Sequence, residues 1–325
     1  MLFSSKIGVS PINKGELTVK HIFIVNPEAG PVSPLEDIKR KLEAIGKLDK
    51  SEIYVTRSPQ DATDFVSARL KEEPNETLRF YACGGDGTIS EVASGAVGYE
   101  NAEISCYPTG SGNDYVKCFG GTPCFSDLEA LMDSDAEPVD LMSVCGRYSI
   151  NVCNFGFEAA VAETMSRVRR KKLIGGKNAY TTGIVKALFT NMRNKCTVIA
   201  DGEVINPNGT MLLCTVANGQ YVGGAYNCAP RSLYNDGLLD ICFVKPVSIF
   251  TFLRLISKYK EGKHLDDPKF QKYIVYRRAK RVEVHSKKES SICIDGEVLS
   301  STDYTIEIIP NAIKFAHPTG VLSKV

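Results

Sequence analysis

At 325 residues the chain is long enough for about two domains and at least one full hydrophobic core, which excludes a small disulfide-stapled scaffold. Apolar residues at 43% and charged residues at 24% exclude wholesale disorder and a multi-span membrane protein. The net charge of +1 hides a segregation: Ser166 to Cys196 carries nine basic residues and no acid, and Phe252 to Lys288 twelve basic residues against four acids, so one face is prepared for anions.

No apolar run reaches the roughly eighteen residues of a transmembrane helix, and the N-terminal stretch lacks the apolar core of a signal peptide, so a cytoplasmic location is expected. Eleven cysteines, odd in number and without a C-x-x-C pair, read as reduced thiols. Most of them, such as Cys83, Cys106 and Cys153, fall in apolar segments where a thiol packs as a small hydrophobe. The four histidines lie far apart and beside no cysteine cluster, which argues against zinc.

The first half alternates strand and helix. His21 to Val25 is a short apolar strand ending at Asn26-Pro27, and Ser33-Pro34-Leu35-Glu36 predicts a capping box that opens a helix. Leu35, Ile38, Leu42 and Ile45 then recur at helical spacing, with Gly46 placed to end the helix. A strand Glu52 to Thr56, a helix Asp61 to Glu73 with Phe65 and Leu70 inward, a strand Leu78 to Cys83, a helix Thr88 to Val97 and a strand Glu103 to Tyr107 follow. Crossover helices of this length imply parallel pairing, hence an N-terminal doubly wound α/β domain whose ligands bind beyond the carboxyl ends of the strands.

Beyond about residue 138 the texture is β-rich: Val139 to Val144, Tyr148 to Phe155, Cys196 to Ala200, Thr210 to Ala217, Leu238 to Val244, Arg281 to His285, Ile292 to Asp295 and Tyr304 to Ile309. Turn signals at Asp201-Gly202, Asn208-Gly209, Asp236-Gly237 and Asp295-Gly296 separate them. These segments predict a C-terminal antiparallel β-sandwich domain over 138–310, with 1–137 as the α/β domain and 311–325 returning to it. Helices near Ala179 to Asn191 and Ile249 to Tyr259 interrupt it, both in the basic segments.

Two loops carry candidate chemistry. The strand Leu78 to Cys83 runs into Gly84-Gly85-Asp86-Gly87-Thr88 and a helix, so backbone N–H groups are free to approach phosphate at a positive helix end. The pattern fits neither a P-loop nor a dinucleotide fingerprint. Pro108-Thr109-Gly110-Ser111-Gly112-Asn113-Asp114 repeats the theme after the next strand, and two such loops at one sheet end predict a nucleotide cleft. In the second half Asp140, Asp236 and Asp295 with Glu297 stand out. Asp-Gly is also a common hairpin turn, so Asp236 and Asp295 have a purely structural alternative.

Taken in order, IVNPEAG, CGGDGTISEV, PTGSGNDYVK, PVDLM, APRSLYNDGLLD and IDGE resemble the bacterial diacylglycerol kinase-like lipid kinases, relatives of sphingosine and ceramide kinases and more distantly of NAD kinases. The resemblance covers the chain from about His21 onward. It implies an ATP- and magnesium-dependent kinase acting on diacylglycerol or a similar lipid, with the nucleotide against Asn26, Thr56, Gly84, Gly85, Asp86, Gly87, Thr88 and Thr109, and Glu91 as a further contact. It implies a structural magnesium at Asp236 with the carbonyls of Leu233 and Leu238, joined to the active site through Asp140 and water. Asp295 is implied as the general base, with Glu297 beside it and Asp86 as the rival base.

One departure stands in the first turn. The family often places a small hydroxyl residue and a Lys or Arg there, whereas this chain reads Pro27-Glu28-Ala29-Gly30-Pro31-Val32-Ser33-Pro34. Lys39 or Arg40 replaces that cation only if the helix points it inward. The basic runs Arg167 to Lys172 and Tyr276-Arg277-Arg278, beside Tyr273, fit a peripheral membrane enzyme docking on anionic headgroups at the inner membrane face, with a solvated charged face as the alternative. No nucleic-acid module is visible, and a homodimer is left open. NAD kinase and a catalytically silent lipid- or nucleotide-binding regulator are the rival functions.

Overall fold

The computed structural model describes residues 19–30, 33–110, 112–170 and 191–318, with side chains left undescribed at 166–170. The expected helix near Ala179 to Asn191 and the basic run Arg167 to Lys172 therefore lie essentially outside the described residues.

Four parallel strands form the first half: β1 (Lys20–Val25), β2 (Ser51–Val55), β3 (Leu78–Gly84) and β4 (Ala102–Pro108), in the order β2-β1-β3-β4. Helices α1 (Leu35–Ala44), α2 (Asp61–Glu72) and α3 (Asp86–Ala96) make the crossovers. All seven residues of β3 are buried, as expected of a central strand covered on both faces. Phe23 stacks on Tyr81 at 4.4 Å and Tyr54 on Phe65 at 3.7 Å, tying neighbouring strands and α2 together. Each fully buried side chain of this size contributes about 1.5–3 kcal/mol.

Two local expectations shift. The capping box at Ser33 does not form: Pro34 sits at the N-cap of α1 with no side-chain cap, and Ser33 Oγ lies 3.5 Å from the Leu35 N–H, at the limit of a hydrogen bond. Helix α3 begins at Asp86, two residues before the expected Thr88, because extended Gly85 turns the chain directly out of β3.

In the second half β5 (Ala136–Val144), β6 (Arg147–Ser149), β7 (Val152–Gly156) and helix α4 (Phe157–Arg170) lead into the antiparallel strands Leu213–Ala217, Leu239–Val244, Ile274–Ala279, Arg281–Ile294 and Glu297–Ala316. The expected single strand Tyr148 to Phe155 breaks at Ile150-Asn151. The two expected strands Arg281 to His285 and Ile292 to Asp295 are one, with an irregularity between His285 and Ser290. Ile274–Ala279, read from sequence as part of a basic surface, is a strand paired with Leu239–Val244.

The halves share one sheet. Glu297–Ala316 pairs antiparallel with Arg281–Ile294 and β5, and its last turn of chain pairs parallel with β4 through Lys314 and Phe315. The fold is thus an α/β parallel sheet continued into an antiparallel β domain, with separate buried clusters on the two sides. All eleven cysteines are free, and nine of them are buried. Among the described residues no helix is long and apolar enough to cross a membrane.

Candidate active site

The strand order 2-1-3 makes β1 and β3 the place where the connections diverge, and the loops after them flank it. Asn26 Nδ2 donates to Thr88 Oγ1 at 3.1 Å across this gap, while Asn26 Oδ1 accepts the Glu28 N–H. Thr56 is buried against the Val25 carbonyl. The two glycine loops touch backbone to backbone: Thr109 and Gly110 N–H donate to the Gly84 carbonyl at 2.9 and 3.1 Å. A Cβ on Gly110 would lie 2.5 Å from Gly85 Cα, so only glycine permits this approach. Gly30, at φ +81, packs equally tightly on the Thr109 carbonyl. Buried Thr109 Oγ1 and Asn113 Oδ1 have no hydrogen-bond partner among the described residues; the Thr109 hydroxyl suits a phosphate oxygen, whereas the Asn113 amide oxygen requires a donor.

Asp86 opens α3 beneath these loops. Its Oδ1 accepts the Asp114 and Tyr115 N–H groups at 2.6 and 3.0 Å, while Oδ2 takes no hydrogen bond from any described residue. Burial, reinforced by the neighbouring Asp114 carboxylate, pushes Asp86 up to about 6. Asp114 accepts the Gly224 N–H with both oxygens, at 3.0 and 3.1 Å, and pairs with Lys117 at 2.5 Å. This tie carries the second half of the chain onto the second glycine loop.

Asp295 meets α3 at Ser90, one turn on from Asp86. Five donors converge on it: Ser149 Oγ, Asn151 N and Val152 N on Oδ1 at 2.9, 3.2 and 2.9 Å, and Ile150 N and Ser90 Oγ on Oδ2 at 2.9 and 3.1 Å. Three successive N–H groups turned toward one carboxylate are what breaks the strand at Ile150-Asn151. Burial raises the carboxyl above its ordinary value, and these donors pull against that. Asp295 at φ +44 and Gly296 at φ +94 also form a two-residue hairpin turn, so the structural alternative holds at this position.

A cleft of about 420 Å³ runs between α2, α3 and the turns at Gly146 and Asp295. Gly87, Ser90 and Glu91 line one wall, Arg147, Asp295 and Glu297 the other. Glu297 pairs with Arg147 at 3.1 Å at its exposed rim, and burial raises the Glu91 carboxyl. Lys39 and Arg40 pair with Glu36 and Asp37 on the exposed face of α1, so neither supplies the cation absent from the first turn.

The expected ion site is arranged differently. Asp236 Oδ1 accepts the Leu238 N–H at 3.1 Å, and its other oxygen pairs with the Arg278 guanidinium, which also stands 3.7 Å from buried Asp240. Asp140 is fully buried and gives one oxygen to the Asn311 N–H at 2.8 Å and the other to the Gly237 N–H at 2.7 Å. Leu233 is half exposed. Among the described residues no three His, Cys, Asp or Glu side chains form a ligand group. A divalent ion on Asp236 would meet the positive guanidinium, so these residues do not fit a resident cation. Arg278 supplies the compensating charge instead.

Several contributors escaped sequence reading: Ser90, Asp114, Lys117, Gly224 and the Ile150 to Val152 backbone. Asp114 stood inside a recognised loop, but its partner Gly224 is 110 residues away, a pairing no local pattern reveals.

Residues 20–144 match the family described as Diacylglycerol kinase catalytic domain, and residues 151–317 the YegS C-terminal NAD kinase beta sandwich-like domain. A protein named Probable lipid kinase YegS-like from Pseudomonas syringae pv. syringae (strain B728a) is 31% identical over 81% of this chain and 82% of its own. One named Diacylglycerol kinase from Bacillus subtilis (strain 168) is 27% identical over 84% and 88%. A crystal structure of a diacylglycerol kinase from Bacillus anthracis str. Sterne shares the fold, with a TM-score of 0.69 at 21% identity over 94% of this chain and 98% of that one. With both halves matched in order, the chain belongs to the diacylglycerol kinase-like lipid kinase family.

Proposed function

We propose that the protein transfers the terminal phosphoryl group of magnesium-bound ATP to the hydroxyl of diacylglycerol or a lipid of similar shape, giving a phospholipid such as phosphatidic acid. The observation that carries this reading is Asp86. One of its oxygens is fixed by two backbone N–H groups, the other is free of described partners, and the carboxyl is raised to about 6 between the glycine loops and the Asp295 cleft.

In this reading Gly84 to Thr88, Thr109 and Gly110 hold the phosphates, with Asn26 fixing Thr88 and Thr56 closing the base of the site. The acceptor hydroxyl lies at the cleft. Its oxygen bonds to the terminal phosphorus as the bond to ADP breaks, and its proton passes to Asp86 Oδ2. A base with a value near 6 is ionised at neutral pH yet basic enough to share a proton in the transition state. Asp295, with both oxygens committed to donors, acts as a positioning residue that holds α3 through Ser90 against the 149–152 turn. Glu91 and Glu297 border the acceptor's path. The magnesium enters as part of the nucleotide substrate.

The domains divide near residue 137, with the segment 311–325 returning to the first half, its part beyond 318 lying outside the described residues, and free thiols throughout suit a cytoplasmic setting. Radiolabelled ATP offered with a panel of lipids in mixed micelles, beside NAD, tests the function. Labelled lipid is expected; labelled NADP alone, or no transfer, would overturn it.

A further inference from the structure

The helix Ile249–Lys260 turns Phe252, Leu255 and Tyr259 into the core, with Phe252 packed 4.7 Å from Phe157. Its opposite face is apolar and open: Phe250 is 79% exposed, Leu253 55% and Ile249 41%. Ile249 and Leu253 share one line along the helix at i, i+4, and Phe250 stands beside them with Arg254 one turn on. A polar outer face is the norm for a surface helix, so this one is inverted at its N-terminal half.

Cations prevail around the patch. From Ile241 to Lys260 the chain holds four cations and no acid. Arg254 and Lys260 stand on the helix, Lys245 precedes it with its Nζ 3.1 Å from the Lys272 carbonyl, and Lys269 lies in the short helix Pro268–Gln271. None of these five makes an ion pair among the described residues. By contrast, of the arginines the sequence offers as headgroup contacts, Arg278 is spent on Asp236 and Asp240, while Arg277 is exposed and bonds only the Tyr276 carbonyl.

We propose that the N-terminal half of this helix docks on an anionic lipid bilayer, with Ile249, Phe250 and Leu253 entering the headgroup boundary and the surrounding cations meeting lipid charge. The inference rests on the lipid-kinase reading and names the surface through which it works. A second copy of the chain suits the patch poorly. At about 250 Å² for a fully exposed large side chain, these fractions leave under about 450 Å², roughly half of one partner's share in a stable dimer. Unpaired cations such as Arg254 and Lys245 beside the patch would add repulsion between copies.

The full-length protein is sedimented with vesicles of phosphatidylcholine alone or mixed with phosphatidylglycerol, without ATP or acceptor lipid, so the outcome is independent of the kinase reading. Wild type should partition onto the anionic vesicles, and Phe250→Ser with Leu253→Ser should lower that partitioning by at least about tenfold. Arg254→Glu with Lys260→Glu should lower it on anionic vesicles and leave any weak binding to neutral ones unchanged. Melting temperatures equal to wild type exclude misfolding. Equal sedimentation of the apolar double variant and wild type would overturn the proposal, as would a wild type that ignores anionic vesicles. A wild-type dimer by light scattering that the apolar double variant breaks would assign the patch to a second copy and overturn it as well.

Discussion

Asp86 and Asp295 compete for one role, and Asp295→Asn separates them. In the variant the amide oxygen keeps the Ser149, Asn151 and Val152 bonds, and the Ser90 hydroxyl rotates to accept from the new amide. The Ile150 N–H is then left facing another donor. One buried donor left unpaired costs about 1–3 kcal/mol, and two to four degrees per kcal/mol is typical of larger domains, so Tm should fall by about 4–8 °C for a cost near 2 kcal/mol. Turnover should fall about tenfold or less, because α3 loosens while the base survives.

Asp86→Asn behaves oppositely. The amide oxygen retains the Asp114 and Tyr115 N–H bonds, so Tm should hold, while loss of the base lowers turnover by about 10²–10⁴. The sign follows from the raised value: Asp86 works when ionised, so wild-type kcat/KM should rise as pH passes through about 6 and level off above it. That limb should persist in Asp295→Asn and vanish in Asp86→Asn. Phosphoryl transfer measured from pH 5 to 8, beside thermal melts, reads all four quantities. An Asp295→Asn enzyme with unchanged Tm and turnover down a thousandfold, beside an Asp86→Asn enzyme that keeps its limb, would refute the assignment.

Glu158 is partly buried and accepts from Thr215 and Tyr259, each at 2.9 Å, and burial pushes its carboxyl from 4.5 up to about 7. The folded state therefore holds a proton that the unfolded chain releases above 4.5. That stability is present below about 4.5 and is lost as pH rises through about 7, a change of about 3 kcal/mol; urea melts of Glu158→Gln should lack this slope. Gly110→Ala drives a Cβ against the Gly85 backbone, and should raise KM for ATP at least about tenfold, read by initial rates, with kcat less affected. Chelation by EDTA should leave the wild-type melt unchanged, whereas Arg278→Gln should lower stability by about 1–3 kcal/mol by removing the guanidinium that faces both Asp236 and buried Asp240.

Elements set by local periodicity were legible. The four parallel strands and three crossover helices fall within two residues of their expected bounds, because strand burial and helix spacing are written in contiguous residues. What escaped depends on distant partners. The break at Ile150-Asn151 is invisible in an apolar run until Asp295, some 145 residues on, draws three N–H groups out of the ladder. Ile274–Ala279 reads as a basic surface because Arg277 and Arg278 dominate its composition, yet pairing with Leu239–Val244 decides its conformation. The glycine loops were recognisable as loops, while the choice between two aspartates required knowing which oxygens were already occupied.

The strand Glu297–Ala316 explains why the cleft is built as it is. It leaves the Asp295-Gly296 turn at one end and pairs with β5, and at the other end Phe315 lies beside Ile104 of β4, the strand that carries Thr109. Both walls of the cleft are therefore joined through a single ladder, and prying them apart by hinge motion would break sheet hydrogen bonds as well as the Ser90–Asp295 and Asp114–Gly224 ties. Each such bond is worth about 0.5–1.5 kcal/mol net, so wide opening of the two halves is disfavoured by several kcal/mol. Acceptor entry must then proceed along the cleft between preformed walls. Positions such as Ser94 and Tyr148, which line it without touching either aspartate, are accordingly where differences in acceptor shape should be read.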